Sequence, residues 1–125
     1  MAAPCAVLIV EDDNLVRALL ADTLRDEGFI VRTAAHRQEA LAVLAQWRPN
    51  LIILDLDMPV MDGRTFRAAQ RGVSEWAGIP VLVMSAGANL KAQAEQLEAV
   101  EALPKPCDLE VLIAAIRRVA SIDPT

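Results

Sequence analysis

Five short apolar runs punctuate this chain, and amphipathic segments separate them. AVLIV at 6–10 and LIILD at 51–55 have almost no polar interruption, the pattern of strands buried on both faces. VLVM at 81–84 repeats it, while Phe29 to Thr33 and Ala102-Leu103-Pro104 are shorter strand candidates. Between the runs the period lengthens. Apolar residues at 15, 19, 20 and 24 alternate with Arg17, Asp22 and Arg25, which predicts an amphipathic helix stopped by Gly28. Ala40, Val43, Leu44 and Trp47 follow the spacing i, i+3, i+4, i+7, and Pro49 ends that helix. An Arg-rich helix over 64–74, a turn at Gly78-Ile79-Pro80, a short fourth helix near Leu90 to Leu97 and a terminal helix on Leu109, Leu112, Ile113 and Ile116 complete the set. Arg117 and Arg118 stand where they could complement the terminal helix dipole. Strand and helix alternate five times, which predicts an α/β fold: a parallel sheet with right-handed crossovers and five helices on its two faces.

Such sheets keep their chemistry at the carboxyl ends of the strands. Asp55 is the first charged residue after its run, and a turn at Met58-Pro59 and Asp62-Gly63 follows. The first run ends in Glu11-Asp12-Asp13. Strands ending side by side would set Asp55 against two of these acids, and unit charges 4 Å apart repel by roughly 4 kcal/mol at an effective dielectric near 20. A cation should therefore be held there, and an all-oxygen donor set suits Mg²⁺. Asp13 or Asn14 is the expected N-cap of the first helix. Ser85 ends the fourth run with a hydroxyl able to hydrogen-bond a phosphoryl oxygen, and Lys105, set before Pro106, offers a point charge to a phosphate or carboxylate.

Glu11-Asp12-Asp13, LDLDMPVMDG at 54–63, Ser85-Ala86 and Lys105-Pro106, in that order, resemble the receiver domain of two-component response regulators over nearly the whole chain. The resemblance implies a flavodoxin-like doubly wound sheet of order 2-1-3-4-5. It implies that Asp55 accepts a phosphoryl group from the phosphohistidine of a sensor histidine kinase or a histidine phosphotransfer protein. Glu11, Asp12, Asp55 and the backbone carbonyl of Asp57 would hold Mg²⁺, and Ser85 and Lys105 would bind the phosphoryl oxygens. Two positions depart from the pattern. Ala102 stands where the family usually carries a switching aromatic, and Cys107 replaces the phenylalanine that usually follows the Lys-Pro pair. The interval from Ser85 to Lys105 is also a little short. These departures leave the phosphorylation chemistry in place and bear on the output, so a degenerate receiver acting as a constitutive protein-binding module is the alternative. A small Mg²⁺-dependent phosphohydrolase would need a substrate cap for which the chain has little length.

At 125 residues the chain is expected to form one domain, residues 1–125, with no room for a second, output domain. It is 54% hydrophobic and 23% charged, which argues against disorder, and its few aromatics leave the core aliphatic. A net charge of −5 speaks against direct nucleic-acid binding, so any output should pass through a protein target or a phosphorylation-dependent homodimer. No apolar run approaches a membrane span, and the first residues lack the basic start of a signal peptide, so a cytoplasmic location is expected. Cys5 and Cys107 are expected to be free thiols. His36, the only histidine, reads as a solvated residue near a helix start.

Overall fold

The computed structural model describes residues 5–57 and 63–122. In chain order the elements are β1 (Ala6–Val10), α1 (Asn14–Asp26), β2 (Ile30–Ala34), α2 (Arg37–Leu44), β3 (Leu51–Asp55), α3 (Gly63–Arg71), α4 (Ser74–Ala77), β4 (Val81–Ser85), α5 (Leu90–Leu97), β5 (Glu101–Pro104) and α6 (Leu109–Ile122). The strands form one parallel sheet in the order β2-β1-β3-β4-β5, as expected. One helix was not anticipated: α4, a single turn too short to carry a readable periodicity. The turn expected at Met58-Pro59 and Asp62 lies outside the described residues.

Alternate residues of the central strands divide the core in two. Val7, Ile9, Leu51, Ile53, Leu82 and Met84 pack with Leu24 of α1 and Leu112 and Ile116 of α6 on one face. Leu8, Val10, Ile52, Leu54, Val81 and Val83 face the other way, against Leu44 of α2, Phe66 of α3 and Leu97 of α5. Each interior strand is thus apolar on both faces, because helices cover both.

Local chemistry sets the helix ends. Asp13 is the N-cap of α1, its carboxylate accepting from the amides of Leu15 and Val16. His36, expected only near a helix start, is the N-cap of α2: its Nδ1 accepts from the Glu39 amide, and Glu39 reaches back to the Ala35 amide. Arg117 and Arg118 lie more than a turn before the end of α6. Instead of meeting the C-terminal dipole they pair with Glu27 and Glu101.

The C-terminal end of α5 is fastened from α3. Buried Arg67 donates through Nε to the Leu97 carbonyl at 2.8 Å and through Nη2 to the Glu98 carbonyl at 3.3 Å, while its Nη1 is held by Gln70. Glu98 itself closes α5 with φ of 55°, a left-handed conformation that suits glycine. Glu98→Gly should therefore stabilise the fold by about 0.5–1 kcal/mol, since the exposed Arg71–Glu98 pair it removes contributes little. Urea denaturation will check this, and a lowered midpoint would mean that the ion pair outweighs the backbone relief.

Candidate functional site

The parallel register brings the chemistry together at the carboxyl edge of the sheet. Val10 of β1 pairs with Leu54 of β3, so Glu11 and Asp55 leave neighbouring strands at the same level. Asp55 pairs with Met84 and Ser85 with Pro104, which delivers Ser85 and Lys105 to the same edge. All five strand-end residues inferred from sequence, Glu11, Asp12, Asp55, Ser85 and Lys105, meet there. Glu11, Asp55 and Ser85 are buried, whereas Asp12 is partly exposed.

Lys105 is the hub. Its Nζ lies 2.8 Å from Asp55 Oδ1, 3.7 Å from Glu11 Oε1 and 3.7 Å from Asp57 Oδ2. Burial acts to lower its pKa, but Asp55 first, then Glu11 and Asp57, outweigh that and raise it. The ammonium therefore stays charged. One cation among these carboxylates still leaves the edge acidic. Glu11, Asp12 and Asp55 each offer a carboxylate oxygen, all within 4.8 Å of one another. A compact all-oxygen set of this kind fits a hard divalent cation and would not suit a soft metal.

The β1–α1 loop that carries the acids is fixed from within. The Arg17 guanidinium donates to the carbonyls of Glu11, at 2.9 Å, and Asp12, at 3.4 Å, and also to the Asn14 side chain. Asp13 donates its amide to Glu11 Oε2. Sequence reasoning assigned Arg17 only to the polar face of a helix; its spacing six residues after Glu11 is no signal by itself.

The most consequential residue missed at the side-chain level is Asp57. Sequence assigned it a backbone carbonyl alone, yet its carboxylate accepts from Ser85 Oγ at 2.6 Å and from the Ala86 amide at 2.7 Å. Its own amide donates to Asp55 Oδ1 at 2.9 Å, tying the two residues after β3 together. Burial would raise its pKa, but the hydrogen bonds from Ser85 and Ala86 and the nearby Lys105 charge prevail and hold it below the usual aspartate range. The Ser85 hydroxyl, expected to face a phosphoryl oxygen, is thus turned to Asp57 and accepts in turn from the Gly87 amide at 3.0 Å.

Glu11 has the opposite character. Burial first, then the adjoining Asp55 carboxyl, push its pKa from 4.5 up to about 7, against the smaller pull of the Asp13 amide and Lys105. Between those two values the folded chain keeps a proton that the unfolded chain has lost. The associated stability is full below 4.5 and fades as pH rises through about 7. In the presence of a chelator, stability should fall across that window, and Glu11→Gln should flatten the slope. Denaturation midpoints at a series of pH values will check this, and an unchanged slope in the variant would remove Glu11 as its origin.

The described residues include no helix long and apolar enough to cross a membrane. Cys5 and Cys107 are free. Ala102, in β5, is half-buried and packs against the core on the face that carries Phe66 and Leu97.

Comparison with known proteins agrees with this fold. The model of the response regulator receiver domain matches residues 7–117. The transcriptional regulatory protein PrrA of Mycobacterium tuberculosis is 39% identical over 113 residues, covering 89% of this chain and 48% of PrrA. The response regulator MprA of Mycolicibacterium vanbaalenii is 34% identical over 116 residues, covering 91% of this chain and 49% of MprA. The chain thus spans about half the length of these curated relatives. Among solved structures, the chemotaxis response regulator CheY4 of Vibrio cholerae superposes with a TM-score of 0.84 at 35% identity, covering 94% of this chain and 99% of CheY4. The signal receiver domain of a signal transduction histidine kinase from Syntrophus aciditrophicus gives 0.83 at 30% identity, with 97% and 94% covered.

Proposed function

Because the chain belongs to the response regulator receiver domain family, we propose that it is the phosphoacceptor of a two-component relay, with Asp55 as the residue that takes the phosphoryl group. The observation that carries this reading is the Lys105 ammonium 2.8 Å from Asp55 Oδ1 at the carboxyl end of a buried central strand, with Glu11 and Asp12 beside it. A carboxylate oxygen of Asp55 attacks phosphorus, the phosphorus–nitrogen bond of the donor phosphohistidine breaks, and the imidazole leaves with its electron pair. Lys105 neutralises charge on the incoming group. Ser85 and the Ala86 amide sit where they can donate to its oxygens once free to do so.

Glu11, Asp12, Asp55 and the Asp57 carbonyl would hold Mg²⁺, which supplies charge neutralisation that lets an anionic donor approach an acidic edge. The donor is a histidine kinase or a histidine phosphotransfer protein. Leu15, 79% exposed, and Leu19, 58% exposed, lie on α1 directly after the acidic loop and offer it an apolar contact. The aspartyl phosphate then alters binding to a protein target or to a second copy, in the cytoplasm. Incubation with a small phosphodonor and Mg²⁺, followed by intact mass measurement, tests the reading: one added phosphoryl group is expected, and its absence under conditions that label other receivers would overturn it.

A further inference from the structure

We infer that the Asp57 side chain is a built-in occupant of the phosphoryl oxyanion cradle, which the phosphoryl group has to displace before Ser85 and Ala86 can bind it. This rests on the reading of Asp55 as phosphoacceptor and adds a competitor to it. The geometry is specific. One Asp57 oxygen takes the Ser85 hydroxyl at 2.6 Å, the other takes the Ala86 amide at 2.7 Å and also lies 3.7 Å from the Lys105 ammonium. A serine hydroxyl has one proton to donate and a backbone amide has one. Both are committed to Asp57, so neither can serve a phosphoryl oxygen at the same time.

Two carboxylate oxygens thus stand in for two oxygens of a tetrahedral oxyanion, on the donors placed to receive one. The arrangement is stabilised from below. Gly87 donates to Ser85 Oγ at 3.0 Å, and a Cβ at Gly87 would come within 3.3 Å of that oxygen, so the loop closes tightly around the engaged hydroxyl. Asp57 is only partly covered, with 33% of its side chain exposed, and can leave toward solvent. Phosphorylation of Asp55 adds roughly −1.5 to −2 charges and strong acceptors nearby, which both repel the Asp57 carboxylate and compete for its donors. The exchange is then a swap of partners: Ser85 and Ala86 move from a carboxylate to the phosphoryl group, and the carboxylate is released. While Asp57 holds the cradle, the apparent affinity for an oxyanion is reduced by the fraction of chains in which the cradle is free.

The test uses the whole chain with Mg²⁺ and beryllofluoride, followed through the Ala86 amide by NMR, for the native protein, Asp57→Ala and Asp57→Asn. Asp57→Ala should bind beryllofluoride about tenfold more tightly. Asp57→Asn, which keeps the shape but not the charge, should gain in the same direction and serves if the alanine variant folds poorly. The gain should persist in 1 M salt, where the Debye length is about 3 Å, because displacement of a contact is not screened as distant repulsion is. Equal or weaker binding by both variants would overturn the inference while leaving the Asp55 reading intact. A gain that vanishes in high salt would overturn it too, assigning the effect to general charge. Failure of the native chain and both variants to bind at all would remove the Asp55 reading and this inference with it.

Discussion

Asp55→Asn is expected to take up no phosphoryl group from a small phosphodonor, while keeping the fold. Among the described residues, only one carboxylate follows a strand buried on both faces, touches Lys105 at 2.8 Å and adjoins the acidic pair of the β1–α1 loop. Asparagine matches its size and can still accept the Asp57 amide, so the sheet edge has no structural reason to open. The amide oxygen is a poor nucleophile, and the labelling rate should drop below detection. Intact mass with and without donor decides it: added mass in the variant equal to that in the native chain would move the acceptor elsewhere, with Asp57 the first alternative to examine.

Withdrawal of Mg²⁺ is expected to have the next largest effect. With Asp12 and Asp57 counted alongside Glu11 and Asp55, four acids face one lysine, and pairwise repulsion at about 4 Å is roughly 4 kcal/mol at an effective dielectric near 20. An anionic donor approaching that edge meets a barrier that one ammonium offsets only in part. Labelling in EDTA should therefore fall by at least about a hundredfold, since metal charge stabilisation is commonly worth several kcal/mol. Asp12→Asn should raise the Mg²⁺ concentration needed while leaving the fold intact, because Asp12 lies outside the buried core at the mouth of the site. Labelling that is equally fast in EDTA would exclude a metal role for these carboxylates.

Much of this was legible in the residues. Uninterrupted runs such as 6–10 and 51–55 could be placed as central strands, because a strand apolar at successive positions must be covered on both faces. The ends were less accessible. β2 starts at Ile30, one residue late, because the Phe29 amide is used to close α1 on the Leu24 carbonyl. α2 stops at Leu44, and the apolar spacing that ran on to Trp47 is continued by a turn, with the Trp47 amide on the Val43 carbonyl. At the site, the acids and Lys105 follow from being first past a strand. The Asp57 carboxylate does not. Its partners are 28 and 29 residues away, and which of several acceptors a hydroxyl chooses is decided by the register and side-chain rotamers of two strand ends. An acid two positions after the acceptor was visible; its orientation was not.

Arg67 gives α5 a pivot. With its final carbonyls clamped to α3, the C-terminal end of the helix is the anchored one. The opposite end, at Leu90, lies roughly 10 Å from the clamp at 1.5 Å per residue, and it follows directly on the loop that carries Ser85 and Ala86. With the Leu97 end held, a displacement of that loop would fall on the first turn around Lys91 and diminish toward the clamp. Any coupling from the Ser85–Ala86 loop through this helix would thus be read at its first turn rather than at its clamped end.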